Sequence, residues 1–117
     1  MSSSPFSPEE QVELYRAVRD NNIETIKSLF SAEININCRP FEALWHEPGP
    51  EATVLHLAAC CIQPDVVEYL LARGADRNIE VAGLKPVDVA IKYELFEPAR
   101  IQRPQDVERV IQLLREE

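Results

Sequence analysis

The stretch Thr53–Asn78, TVLHLAACCIQPDVVEYLLARGADRN, carries a complete helix–turn–helix unit with its own start, turn and stop. Leu55, Leu57, Ala58 and Ala59 predict a short helix whose small side chains let a neighbouring helix come close. Gln63, Pro64 and Asp65 restart the chain. Pro64 suits a first helical position, where its fixed φ and missing N–H cost nothing, and Asp65 puts negative charge at the positive end of the new helix. Val66, Val67, Leu70 and Leu71 recur at helical spacing and give that helix one apolar stripe. Arg73 falls in its last turn. Gly74 follows as the residue able to take the left-handed conformation just past a helix end.

The rest of the chain copies or interrupts this unit. Upstream, residues 1–6 read as a flexible Ser/Pro-rich lead. Ser7, Pro8 and Glu10 then form a capping-box start, and Leu14, Ala17 and Val18 mark a buried side. Asp20, Asn21 and Asn22 supply turn chemistry, and Ile23, Ile26, Leu29 and Phe30 resume helical spacing. Leu14 matches Leu55, Ala17 matches Ala58, Ile26 matches Val67, Leu29 matches Leu70 and Asn37 matches Asn78, each pair 41 residues apart, so the chain repeats internally. Downstream, Ala90 stands where Ala58 stood, and Pro86 where Val54 stood, 32 residues on. The last helix, about Pro104 to Arg115, has Val107, Val110, Ile111 and Leu114 as its apolar face. Leu113 and Leu114 match Leu70 and Leu71 at 43 residues, which requires an insert over roughly Glu94–Arg103.

The residues T-x-L-H-L-A-A, followed by V-V-x-x-L-L-x-x-G-A-D-x-N, resemble the ankyrin repeat, and G-L-K-P-V-D-V-A from Gly83 is similar to that family's G-x-T-P-L-H-L-A. The resemblance implies an all-α ankyrin-repeat solenoid of three helix–turn–helix repeats joined by β-hairpin-like fingers. It covers one domain over residues 7–117, with repeats at about 9–37, 53–78 and 83–115 and the insert at 94–103. The 41-residue register exceeds a period of about 33, so the connector 38–52 is an enlarged finger bearing Phe41, Leu44 and Trp45. The departures are Glu33 where Gly74 would fall, Val54 in place of Pro, and Asp88 in place of His. By the same resemblance His56 bonds Thr53 and connector backbone, a structural role. An altered last repeat fits a capping role at the end of a stack.

Composition narrows function. The 117 residues carry 20 acidic and 12 basic side chains, a formal net charge of −8, which disfavours nucleic acid and anionic membranes and favours a neutral or basic protein partner. No run approaches the ~18 apolar residues of a membrane span, and the N-terminal residues lack the apolar core of a signal peptide. Three cysteines, Cys38 and the adjacent Cys60 and Cys61, show no disulfide framework, so the expected compartment is the cytoplasm, with the nucleus open. No phosphate-cradling loop can be built from three glycines, and His46, His56 and the cysteines lack zinc-site spacing. Neither enzyme activity nor a metal or other cofactor is expected.

What remains is a surface. The family binds partners through finger tips and the exposed face of its first helices. Position by position, this implies a strip of Arg19 and Asp20 from repeat one, Cys60 and Cys61 from repeat two, and Lys92 and Tyr93 from repeat three. The fingers add Phe41, Trp45 and Ala52, then Val81 and Leu84. Trp45 has three readings: the finger folds back and buries its aromatics, or Phe41 and Trp45 anchor a partner, since Trp is enriched at binding hot spots, or the finger is simply disordered. Two functions follow. One is a monomeric adaptor or regulator that recognises another protein. The other is a structural subunit packing through its inserts in an obligate complex or homodimer, suggested by the apolar Leu95, Phe96 and Ile101.

Overall fold

The computed structural model describes residues 6–30, 34–38, 53–81, 83–94 and 104–115, the side chains of residues 92–94 and 104 excepted. Among them are six helices: α1 (Pro8–Arg19), α2 (Ile23–Leu29), α3 (Val54–Cys60), α4 (Pro64–Ala72), α5 (Pro86–Glu94) and α6 (Pro104–Arg115). Each odd helix packs on the even helix that follows it. α3 also lies between α1 and α5, and α4 meets α6. The result is a two-row stack of helix pairs.

Local chemistry explains where the helices start and stop. Ser7 Oγ accepts from the Glu10 N–H at 3.2 Å while Glu10 Oε1 accepts from the Ser7 N–H at 2.9 Å, which satisfies two otherwise orphaned donors. Beyond α4, the Ala75 N–H bonds to the Leu70 carbonyl at 3.0 Å and the Gly74 N–H to the Leu71 carbonyl at 3.1 Å, with Gly74 at φ +93°. This is a Schellman ending, and it requires the glycine. Between the two helices of repeats one and two, Asn21 (φ 59°) and Ile62 (φ 54°) occupy the same register position in the left-handed region. Asn tolerates that conformation, whereas a β-branched residue adopts it only at a cost in strain. Ile62 is held there by complete burial, at 0% exposure.

The repeat also shows in its hydrogen bonds. Asn35 Oδ1 accepts from the Asn37 N–H at 2.9 Å, and Asp76 Oδ1 accepts from the Asn78 N–H at 2.8 Å, the same turn in successive repeats. Asn37 then clamps the next loop: its Oδ1 accepts from the Asp76 N–H at 2.7 Å and its Nδ2 donates to the Gly74 carbonyl at 3.3 Å.

One core runs through the stack. It includes Leu14 and Val18 of α1, Ile26 of α2, Leu55 and Ala58 of α3, Val66, Val67 and Leu70 of α4, Ala90 of α5 and Val110 of α6. Two sequence expectations change. Phe6, assigned to the flexible lead, is buried, meets Phe30 edge-on at 5.2 Å between ring centroids, and offers its carbonyl to Gln11 Nε2 at 3.1 Å. Burying a phenylalanine is worth about 2 kcal/mol, which suffices to order the residue before the cap. The remainder of the lead, residues 1–5, lies outside the described residues.

The second change is in α6. Val107, Val110 and Leu114 are buried while Ile111 and Leu113 are only half-buried. Leu114, not Leu113, therefore takes the position of Leu70, one residue later than the sequence match. The reason lies in the spelling: V-I-Q-L-L has one residue between its apolar pairs where V-V-E-Y-L-L has two, so both pairs cannot keep register on a helix. Glu33, the finger 39–52 and the insert 95–103 lie outside the described residues.

Candidate partner-binding site

The finger between repeats two and three is built around a two-way backbone pair. The Val81 N–H donates to the Leu84 carbonyl at 2.8 Å and the Leu84 N–H to the Val81 carbonyl at 3.0 Å, with Gly83 at φ +79° in the turn. His56 ties this finger to α3. Its Nε2 lies 3.1 Å from the Leu84 carbonyl, which can only accept, so Nε2 carries the proton. Nδ1, 2.7 Å from Thr53 Oγ1, is then the acceptor of the threonine hydroxyl. Thr53 Oγ1 in turn caps the helix by accepting from the His56 N–H at 3.4 Å. Both side chains are buried, where an unmade bond would cost most. Val81 and Leu84 are half-exposed, and Leu84 also packs against the core, so its apolar surface is shared between the finger's base and its open side.

At the C-terminal ends of the inner helices α1 and α3, which pack side by side, lie four of the sequence-predicted residues. Arg19 closes α1 and Asp20 caps it. Gln63 Nε2 donates to the Arg19 carbonyl at 2.6 Å, joining the end of α1 to the turn after α3. Arg19 holds Asp20 in a fork, Nε to Oδ1 at 3.1 Å and Nη2 to Oδ2 at 3.3 Å, with both side chains more than half exposed. That hydrogen-bonded pairing raises the Arg19 guanidinium above its ordinary value and lowers the Asp20 carboxyl below the usual carboxylate range. The Cys61 thiol lies close enough to act on the charge of Arg19. Cys60 and Cys61 are half-buried at the end of α3. Cys38, also half-buried, has its thiol pushed up by burial, which disfavours the reactive thiolate.

Lys92 and Tyr93 fall in the last turn of α5, the helix beside α3, with their side chains outside the described residues. Phe41, Trp45 and Ala52 lie outside the described residues altogether. Sequence reading missed Gln63 as a strut between repeats. It also missed the cluster in which Arg73 Nη1 donates to Tyr69 Oη at 2.7 Å and to the Phe30 carbonyl at 3.3 Å, with Lys27 and Arg73 over the Tyr69 ring at 5.7 and 5.8 Å. No local motif announces the bonds from Gln63 to Arg19 and from Arg73 to Phe30, because each joins residues more than 40 positions apart.

Among the described residues no group of three or more His, Cys, Asp or Glu is placed to hold a metal ion, and no helix is long and apolar enough to cross a membrane. A family model described as ankyrin repeats, in three copies, matches residues 14–101, well over half of the chain. Repeats of this kind are in general protein–protein interaction modules and are typically non-catalytic. With the stacked helix pairs, the tight finger and the Thr53–His56 tie as its structural counterpart, the chain belongs to the ankyrin-repeat family.

Proposed function

We propose that this protein is a non-catalytic adaptor or regulator that recognises a partner protein through the strip formed by the ends of α1, α3 and α5 and by the finger tips. The observation that carries the reading is the convergence of Arg19, Asp20, Cys60 and Cys61 at the ends of two helices packed side by side, braced by Gln63. The strip offers a fixed charge pair beside half-exposed, weakly polar thiols, a mixture suited to protein recognition. Phe41, Trp45, Val81, Leu84, Lys92 and Tyr93 complete it. The net charge of −8 favours a neutral or basic partner surface, and the unbridged cysteines favour the cytoplasm.

The experiment is affinity capture from native cells with wild type beside Trp45→Ala plus Tyr93→Ala, followed by measurement of direct binding to the captured partner. The double variant should keep its helical circular dichroism and lose the partner. Full binding by the double variant would sink the proposal.

A further inference from the structure

A groove of ≈550 Å³ opens between the loop after α4, the start of α5 and the end of α6. Ala75, Val87 and Leu114 supply its apolar lining. Among the described residues that line it, Arg77, Lys85 and Arg115 stand against one carboxylate, Asp76. In a chain of net charge −8 this is a local reversal of sign. Asn78 lines the same groove.

The fold itself shows what an asparagine at this register position does. Asn37, its counterpart one repeat earlier, presents both amide atoms to the backbone of the neighbouring loop, accepting from the Asp76 N–H at 2.7 Å and donating to the Gly74 carbonyl at 3.3 Å. Asn37 and Asn78 are held by the same turn, each N–H bonded to the side chain two residues before it. Asn78 is exposed, with its backbone fixed. A primary amide with one donor edge and one acceptor edge matches an extended backbone, as Asn37 demonstrates.

We propose that this groove is a second recognition site, distinct from the strip on the inner helices, and that it takes an extended acidic peptide segment of a partner protein. Asn78 reads one residue of backbone in the manner of Asn37, Val87 and Leu114 receive a small apolar side chain, and Lys85, Arg77 and Arg115 meet the flanking carboxylates. Arg77 is partly committed, since its Nη1 donates to the Leu113 carbonyl at 3.3 Å. That bond fixes the guanidinium in place and leaves its other N–H groups to a ligand. The complementarity is electrostatic at the rim and backbone-directed at the centre, so binding depends on salt.

The test is fluorescence anisotropy with a labelled peptide of alternating Glu and Val against the full chain, compared with the same peptide carrying Gln for Glu. Wild type should prefer the Glu peptide by about tenfold or more at low salt, and the preference should shrink as salt rises. Asn78→Leu should weaken binding about tenfold without changing the circular dichroism, because the native bond at Asn78 is made by its backbone N–H. Lys85→Glu plus Arg115→Glu should shift preference to a Lys-Val peptide. No binding by wild type overturns the proposal. So does binding indifferent to Asn78 or to the charge reversal.

Discussion

The second inner helix opens with Thr53, Val54, Leu55 and His56, and the third with Lys85, Pro86, Val87 and Asp88. In the second repeat the last of these four side chains reaches out of its own helix, since His56 Nε2 bonds the Leu84 carbonyl of the finger that leads into repeat three. In the third repeat it turns back. Asp88 Oδ2 accepts from the Lys85 N–H at 3.0 Å, satisfying a donor at the start of its own helix. His56 is fully buried and Asp88 half-buried. One register position thus serves as a tie between repeats in the middle of the stack and as a local cap in its last repeat. An inner repeat is stabilised by interfaces on both sides and a terminal one by its own caps, which is the nearest-neighbour logic of a solenoid.

Removing the tie should have the largest effect on that contrast. His56→Ala strands the Thr53 hydroxyl proton, leaves the Leu84 carbonyl with the Val81 N–H alone and opens a cavity, so urea unfolding should show about 3 kcal/mol lost. The finger amides at Val81 and Leu84 should exchange faster than those of α4. A loss below about 1 kcal/mol would mean that the tie carries little of the coupling between repeats two and three. Asp88→Ala should cost only about 0.5–1 kcal/mol, the scale of a helix cap, with its disturbance confined to the first turn of α5. A cost equal to that of His56→Ala would erase the distinction between tie and cap.

The smallest expected effect concerns the exposed Arg19–Asp20 pair. The folded-state carboxyl of Asp20 is lowered, first by its hydrogen bond to Arg19, so the stabilisation it brings is present above the unfolded carboxylate's pKa and is lost as pH falls through the folded value. Because the pair is exposed, stability should barely register it. The visible consequence is in the titration itself: Arg19→Gln should move the Asp20 midpoint upward toward the ordinary carboxylate range in a carbon-detected NMR titration. A midpoint unmoved by the substitution would show that Arg19 does not hold Asp20 in solution. These three outcomes rank a buried tie above a half-buried cap and both above a solvated charge pair.

Much of this organisation is legible in local sequence. The Ser7–Glu10 capping box, Pro64 at a helix start and the Gly74 ending each depend on a few neighbouring residues, and each forms as the spelling implies. The 41-residue repeat likewise reappears as paired turns at Asn35–Asn37 and Asp76–Asn78. The misreadings arose where a distant contact or an altered spacing chose among local options. Phe6 looks like part of a polar lead until Phe30 is beside it. The 43-residue match set Leu113 against Leu70, but with one residue fewer between the apolar pairs of α6 it is Leu114, already named on the apolar face, that takes the buried place of Leu70. For the candidate site, sequence named Arg19, Asp20, Cys60 and Cys61, but it could not supply Gln63 as the strut that brings their helix ends together.

Sequence alone therefore determined the repeat, the helix ends and the family, because those rest on periodicity and on capping bonds made within a few residues. Only the tertiary structure decided which side chains join one repeat to the next, as Gln63, Arg73 and Asn37 do. Only it could place three cations around one groove in an acidic chain. Such arrangements depend on distances between residues far apart in the chain, and net charge and periodicity carry no record of those distances.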